Sequence, residues 1–240
     1  MGAEWDRSVR DPGAGPYNAA FDQFPDAYDE LRAAGHMARR RAEFFTDVVD
    51  RSQGSVLEIG CGTGALLRTL AARRPQRRFI GVEPLPNYVE FARERARAAG
   101  TPNVRFEMGT GETLDSVVQP GSVGLVVSVD TLHHVSDTAQ VVRAVSRAAG
   151  PEARWWAMEP NRIHPYVWAY HVFTAGERTF SPRDFLRHAA AGGWQLEERR
   201  TMYLYPSGVA AVPAWAEAVE RRLERRRALA GAVVLALRRS

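Results

Sequence analysis

The 240-residue chain contains no lysine; all 32 of its basic residues are arginine, set against 28 acids and six histidines. With alanine and glycine abundant, that bias reflects a GC-rich genome rather than a function. The arginines are interleaved with acids, and the densest basic run, Arg221 to Arg227, is broken by Leu223 and Glu224. A net charge of +4 distributed in this way describes solvated helix faces and disfavours a nucleic-acid stripe. The chain has one cysteine, Cys61, so no internal disulfide can form. No apolar run approaches the roughly 20 residues a membrane helix needs. The stretch from Leu229 to Leu237 is short and contains Gly231. The N-terminus lacks the basic-then-apolar order of a secretion signal, and the expected compartment is the cytoplasm. What remains is a chain rich enough in hydrophobic residues, at 45%, to build the core of one large α/β domain.

The most informative stretch present is Ser55 to Gly64, in which Val56, Leu57 and Ile59 surround one acid, Glu58, and then give way to Gly60, Gly62 and Gly64. The apolar part suits a buried strand. The alternating glycines permit a tight turn and close backbone approach, and Ala65, Leu66, Leu67 and Leu70 open a helical repeat. Such a turn holds a ligand against bare backbone. The order of acid, any residue and three alternating glycines resembles motif I of the class I S-adenosylmethionine (SAM) dependent methyltransferases, here Glu58, Gly60, Gly62 and Gly64. Gly60, Gly62 and Ala65 also satisfy the dinucleotide fingerprint, so an NAD(P)-dependent oxidoreductase stays in play at this point.

A second strand, Arg78 to Glu83, ends in an acid that lies 23 positions past Gly60. In a βαβ unit this spacing brings the Glu83 carboxylate beside a nucleotide ribose, where it can accept from both hydroxyls. A helix from Pro86 to Ala99 and a third strand from Val104 to Met108 follow. Gly109 to Leu114 then resembles the loop that frames the adenine in this family, with Thr110 where an aspartate is usual and with Met108 and Leu114 as apolar neighbours. The fourth strand, Val123 to Val129, leads into Asp130-Thr131-Leu132-His133-His134-Val135, which resembles the family's Leu-His-His-Val segment, although Gly124 replaces the aspartate that usually opens this strand. His133 and His134 cannot both face a pocket from an extended or helical segment, so one is expected to line it while the other packs. No cysteine or third histidine is spaced to complete a metal site, and none is expected.

The remainder reads as helix 137–149, strand 153–159, helix 182–191, strand 194–203, a break at Pro206, Gly208 and Pro213 with a helix after it, and a last strand 232–237. Between the fifth strand and the helix at 182 lies a ring-dense stretch, including His164, Tyr166, Trp168, Tyr170, His171 and Phe173, that would suit an apolar or aromatic acceptor. Residues 1–16 read as a flexible leader. Residues 17–51 read as two amphipathic helices around Phe21, Phe24, Tyr28 and Leu31 and then Met37, Arg41, Phe44 and Val48, a candidate lid.

The resemblance runs over about residues 17–238. It implies a single α/β, Rossmann-like three-layer domain over residues 17–240, with a mostly parallel seven-stranded sheet, an antiparallel C-terminal strand, the helical lid and an inserted cap at 206–230. The cofactor implied is SAM, with S-adenosylhomocysteine as product, held by Glu58, Gly60, Cys61, Gly62, Gly64, Glu83, Pro84, Thr110, Gly111, Glu112 and Val129. A small acceptor would lie against Tyr17, Tyr28, Glu159, Asn161, Tyr166 and Tyr170. A neutral imidazole is a fitting base near pH 7, with His134 first, then His133, His164 and His171. A nucleic-acid methyltransferase is disfavoured because Asp130-Thr131-Leu132-His133 replaces an Asn/Asp-Pro-Pro-aromatic run. The oxidoreductase lacks a Tyr-x-x-x-Lys pair, there being no lysine. A SAM-binding interaction protein without activity, and a homodimer, both remain compatible with the chain.

Overall fold

The computed structural model describes residues 25–174 and 177–240. Seven strands form one sheet: β1 Ser55–Ile59, β2 Phe79–Glu83, β3 Val104–Met108, β4 Val123–Val129, β5 Ala149–Pro160, β6 Trp194–Met202 and β7 Ala232–Arg239. Their order is β3-β2-β1-β4-β5-β7-β6. Strands β1 to β5 are mutually parallel, and β7 runs antiparallel to both β5 and β6. This is the Rossmann-like sheet with one reversed strand that the sequence predicts. The central strands read as unbroken apolar runs because both of their faces are covered.

The eight described helices are α1 Pro25–Ala33, α2 Gly35–Asp50, α3 Ala65–Arg73, α4 Pro86–Ala98, α5 Thr138–Ala148, α6 Pro165–Phe173, α7 Pro182–Ala191 and α8 Ala214–Leu223. On one face of the sheet Leu57, Val126, Trp155 and Leu235 pack with Val141 and Val145 of α5 and Phe185 of α7. On the other, Val56, Phe79, Val127 and Val234 pack with Phe45 and Val49 of α2, Leu67 and Leu70 of α3 and Val89 of α4. Side chains cap the N-termini of α5 and α7: Asp137 accepts from the Gln140 amide at 2.9 Å and Ser181 from the Asp184 amide at 3.4 Å. None of the described helices is long and apolar enough to cross a membrane. Tyr17, Phe21 and Phe24, assigned to the lid from the sequence, lie outside the described residues.

Strand β5 starts earlier than its predicted position at 153 because α5 ends at Ala148 and the chain extends at once. Its register against β4 jumps between Val123↔Ala149 and Leu125↔Arg154. Gly150 and Pro151 fall in that irregularity, where a residue without an N–H is tolerated. Gly124 has a packing reason: a Cβ there would lie 2.0 Å from the Gln53 carbonyl oxygen. The departure from the family pattern at this position belongs to the crossing of two backbones at the start of β4, at the opposite end of the sheet from the crevice.

Helix α8, in the inserted segment, packs on α2. Arg40 donates to both carboxylate oxygens of Glu224 (2.8 and 2.9 Å) and approaches Glu220 at 2.9 Å, while His36 Nε2 lies 2.6 Å from Glu220. The same two carboxylates accept from the Tyr203 and Leu204 amides at 3.0 and 2.9 Å. Removing one partner of a buried charge cluster leaves the others uncompensated. Arg40→Ala is expected to lower the unfolding free energy by about 3–5 kcal/mol, read from urea denaturation; a loss well under 1 kcal/mol would show that the cluster contributes little net stability.

Candidate functional site

The strand order reverses between β2-β1 and β4-β5, which puts a crevice beyond the carboxyl ends of β1 and β4, where open α/β sheets keep their ligands. The glycine turn is its floor. Gly62 has φ +55°, and a Cβ on it would lie 3.0 Å from the Tyr28 ring, which α1 lays across the turn. Gly64 serves a different end: a Cβ there would lie 2.5 Å from Phe106, so its bareness lets α3 approach the core, and it does not line the crevice.

Two acids flank the floor. Glu83, at the end of β2, accepts from the Gly62 amide at 2.9 Å and the Leu85 amide at 3.2 Å. Burial pushes its carboxyl up to about 7, against the pull of those two amides. Bound to backbone on one side, it lines the crevice with its remaining acceptor capacity. Glu58 is 4% exposed, and its Oε2 has no hydrogen-bond partner among the described residues. Burial lifts it to about 8, while Arg41 and Arg32 pull the other way. It shares a recess with Tyr28, Arg32, Arg41, Cys61, Thr63 and Val129, and the Thr63 hydroxyl there is also buried without a partner. Arg32 donates to Asp130 Oδ2 at 2.8 Å, and Asp130, the residue after β4, has φ +51°, a left-handed conformation costly for a residue with a side chain. Burial raises the Cys61 thiol well above its ordinary value, so it is not a nucleophile at neutral pH.

The recess fits the amino-acid end of SAM on this structure's own terms, with an orphaned carboxylate oxygen for an ammonium and two guanidinium groups for a carboxylate. Sequence reasoning assigned no role to Arg32 and Arg41; the available signal was Arg41 standing within the apolar stripe of Met37, Phe44 and Val48. On the opposite side of the floor Ile59, Pro84, Leu85, Tyr88, Thr110, Gly111, Glu112 and Val135 line the crevice. Thr110 is the N-cap of a short 3-10 turn, Gly111–Ser116, in a reciprocal capping box with Thr113. Met108 and Leu114, expected beside an adenine, are not there: Leu114 is fully buried in the core and Met108 is 60% exposed on the edge strand. The apolar walls come instead from Ile59, Leu85 and Tyr88.

The two histidines separate. His134 lines the crevice, and His133 is buried behind it with ring centroids 3.9 Å apart. Burial and the neighbouring His133 lower the His134 imidazole to about 3. Burial also works against a charge on His133, but the carboxylates of Glu159 and Glu177 outweigh it and raise that imidazole to about 9. Glu159, assigned to an acceptor from the sequence, is 0% exposed and accepts from the Thr131 and Leu132 amides at 3.1 and 2.8 Å, with His133 Nδ1 at 2.7 Å. It shapes the loop from within. Asn161 is likewise internal, donating to the Arg227 and Ala230 carbonyls at 2.6 and 2.7 Å. His164 caps α6 by accepting from the Val167 amide, and Tyr166 and Tyr170 on that helix are 69% and 43% exposed, away from the crevice. Tyr17 lies outside the described residues.

A family model described as a methyltransferase domain matches residues 56–152, the span that holds the glycine turn, Glu83 and the His-His loop. Residues 56–152 thus form a methyltransferase domain, and the chain is similar to the class I SAM-dependent methyltransferases. It is 35% identical over 165 residues to the ubiquinone biosynthesis O-methyltransferase of Methylobacterium sp. (strain 4-46), covering 63% of this chain and 64% of that protein. It is 29% identical over 139 residues to human thiol S-methyltransferase TMT1A, covering 56% and 55%. Both matches span less than two thirds of the relative. Among solved structures, geranyl diphosphate C-methyltransferase of Streptomyces coelicolor A3(2) shares this methyltransferase fold with a TM-score of 0.65 at 20% identity, over 95% of this chain and 90% of that one.

Because burial holds the Glu58 carboxyl at about 8 in the fold, above the ordinary 4.5, the folded state keeps a proton that the unfolded chain releases. Stability should therefore fall as pH rises from about 4.5 through 8. Glu58→Gln, which cannot ionise, is expected to stabilise the protein at pH 8 and to do so far less at pH 5, measured by urea denaturation at both; an equal effect at the two pH values would show that Glu58 is ionised throughout.

Proposed function

We propose that this methyltransferase transfers the SAM methyl group to a small hydroxylated acceptor of aromatic or apolar character, at oxygen. The observation that carries the reading is the pair of carboxylates on either side of one glycine turn: Glu83, anchored to the turn's own amide, and Glu58, orphaned beside Arg32 and Arg41. Glu83 would accept from the ribose hydroxyls. Glu58, giving up its proton as the cation arrives, would take the α-ammonium, with the guanidinium groups toward the carboxylate, and Ile59, Leu85 and Tyr88 would cover the base. SAM supplies an electrophilic methyl group, so what the chain must do is hold an acceptor oxygen in line with it and exclude water, and orientation alone is worth several kcal/mol. Tyr28 closes the turn from the α1 side. His134, at the crevice wall, is placed to accept a hydrogen bond from the acceptor hydroxyl and orient it.

Oxygen is favoured by the name of the 35%-identical relative, an O-methyltransferase. An apolar or aromatic acceptor is favoured by Tyr28, Leu85, Tyr88 and Val135 around the crevice. A role in natural-product biosynthesis, with a GC-rich source, is compatible with this acceptor class. A SAM-binding protein without activity would share the cofactor contacts and differ at His134.

Glu83→Ala is expected to weaken S-adenosylhomocysteine binding by about 100-fold, since each hydrogen bond to a charged group contributes about 1.5–3 kcal/mol; calorimetry that returned wild-type affinity would remove Glu83 from the ribose. His134→Ala is expected to lower kcat on a phenolic acceptor by about 100-fold, with S-adenosylhomocysteine affinity within a factor of about two. Unchanged turnover in that variant would leave His134 without a part in transfer.

A further inference from the structure

Behind the crevice, His133, from the loop after β4, meets His171, from the last turn of α6, and Glu177, from the segment between α6 and α7. Their ligand atoms all lie within 4.8 Å of one another. We propose that these three side chains bind one divalent transition-metal ion of the zinc class.

The first argument is distance. His133 Nε2 and His171 Nε2 each stand 3.6 Å from Glu177 Oε2, and His134 Nε2 stands 4.0 Å from it. Those separations are too long for hydrogen bonds. They are close to the edge of a coordination tetrahedron, which is about 3.3 Å when metal–ligand distances are about 2.0–2.1 Å.

The second argument is which nitrogen is left over. His171 Nδ1 lies 2.8 Å from the Val167 carbonyl oxygen, which can only accept, so Nδ1 carries the hydrogen and Nε2 of the neutral ring presents a lone pair. His133 Nδ1 lies 2.7 Å from Glu159 Oε2, another acceptor, so Nδ1 keeps its hydrogen and Nε2 is the nitrogen that gives up a proton to a metal. A carboxylate or a backbone carbonyl holding the far nitrogen of an imidazole is the outer-shell arrangement of metal-bound histidines. Both are built here before any ion is considered.

The third argument is the anion. Glu177 has a side chain only 3% exposed, and its Oε2 has no hydrogen-bond partner among the described residues. A buried carboxylate with no donor within hydrogen-bond distance is costly to hold. One proton on one ring would satisfy a single contact, whereas a cation at the centre satisfies all of them. Two imidazoles and one carboxylate select zinc, cobalt or a similar ion over magnesium or calcium, and three protein ligands leave a position open. His134, which lines the crevice, has its Nε2 4.0 Å from Glu177 Oε2 and so joins the cluster to the crevice wall. The sequence hid this set because His171 and Glu177 are 38 and 44 positions past His133, beyond any local ligand spacing.

The test uses the full chain, stripped with a chelator, dialysed and titrated with Co²⁺ followed by visible absorption, then with Zn²⁺ in competition. One equivalent of Co²⁺ per chain with intense tetrahedral bands, displaced by Zn²⁺ and not by Mg²⁺, is the expected result. His171→Ala and, separately, Glu177→Gln should each weaken binding by about 100-fold or more, because even outer-shell changes cost 10–100-fold. His188→Ala, on α7 away from the cluster, should leave it unchanged. Circular dichroism and S-adenosylhomocysteine calorimetry on the same variants show that the fold and cofactor crevice persist, so the outcome stands apart from methyl transfer. Absence of stoichiometric Co²⁺ binding, binding that survives both substitutions, or equal competition by Mg²⁺ would overturn the site.

Discussion

The crevice depends on one hydrogen bond between adjacent strand ends: the Gly62 amide donating to Glu83 at 2.9 Å. A loop of alternating glycines has more backbone freedom than any other turn, and that freedom must be removed before a ligand arrives if binding is not to be charged with ordering it. The Glu83 carboxylate removes it from β2, with the Gly60 amide donating to the Val82 carbonyl oxygen beside it at 2.8 Å. The cost falls on the carboxylate, which is held near 7 by burial. A polar ligand that brings two hydroxyl donors lowers that cost, and this is a physical reason for an acid at the end of β2 where an apolar residue would be cheaper to bury.

The second wall of the crevice follows the same logic with a different acid. Glu159, at the end of β5, gathers the amides of residues 131 and 132 and the imidazole of His133, so the turn after β4 is shaped by a fully buried carboxylate from the next strand. Fixing His133 inward sets His134 against it on the crevice side, with the ring centroids 3.9 Å apart. It also sets His133 Nε2 toward His171 and Glu177, so the position of the crevice histidine and the convergence behind it have one cause.

The central strands were legible because burial on both faces leaves continuous apolar runs, and the edge strand β3 from its apolar–charged alternation; β3 and β4 begin and end where their residues predict. Glu83 was legible from its distance to Gly60, since a βαβ unit has a nearly fixed length. The cation side of the crevice was not. Arg32 and Arg41 come from helices that precede β1, and nothing in their own segment says which strand end they will face. Tyr166 and Tyr170 misled in the opposite direction: a ring-rich helix looks like a pocket wall, yet α6 turns both outward, and its short apolar length leaves no buried residue. Leu114 likewise reads as a loop residue beside a ligand, but the 3-10 turn closed by Thr110 and Thr113 rotates it into the core.

The inserted segment reaches the crevice indirectly. Helix α8 lines neither the floor nor the recess. It engages α2, whose Arg40 is locked by Glu224 while the next residue, Arg41, lies in the recess beside Glu58. Adjacent residues on a helix point about 100° apart, so fixing the rotation of α2 at Arg40 fixes where Arg41 can go. Arg41 is buried and its guanidinium is depressed by that burial and by Arg32, which makes its placement expensive and sensitive to small shifts of the helix. The charge cluster between α2 and α8 thus acts on the recess through geometry, by holding a cation where the strand ends alone could not.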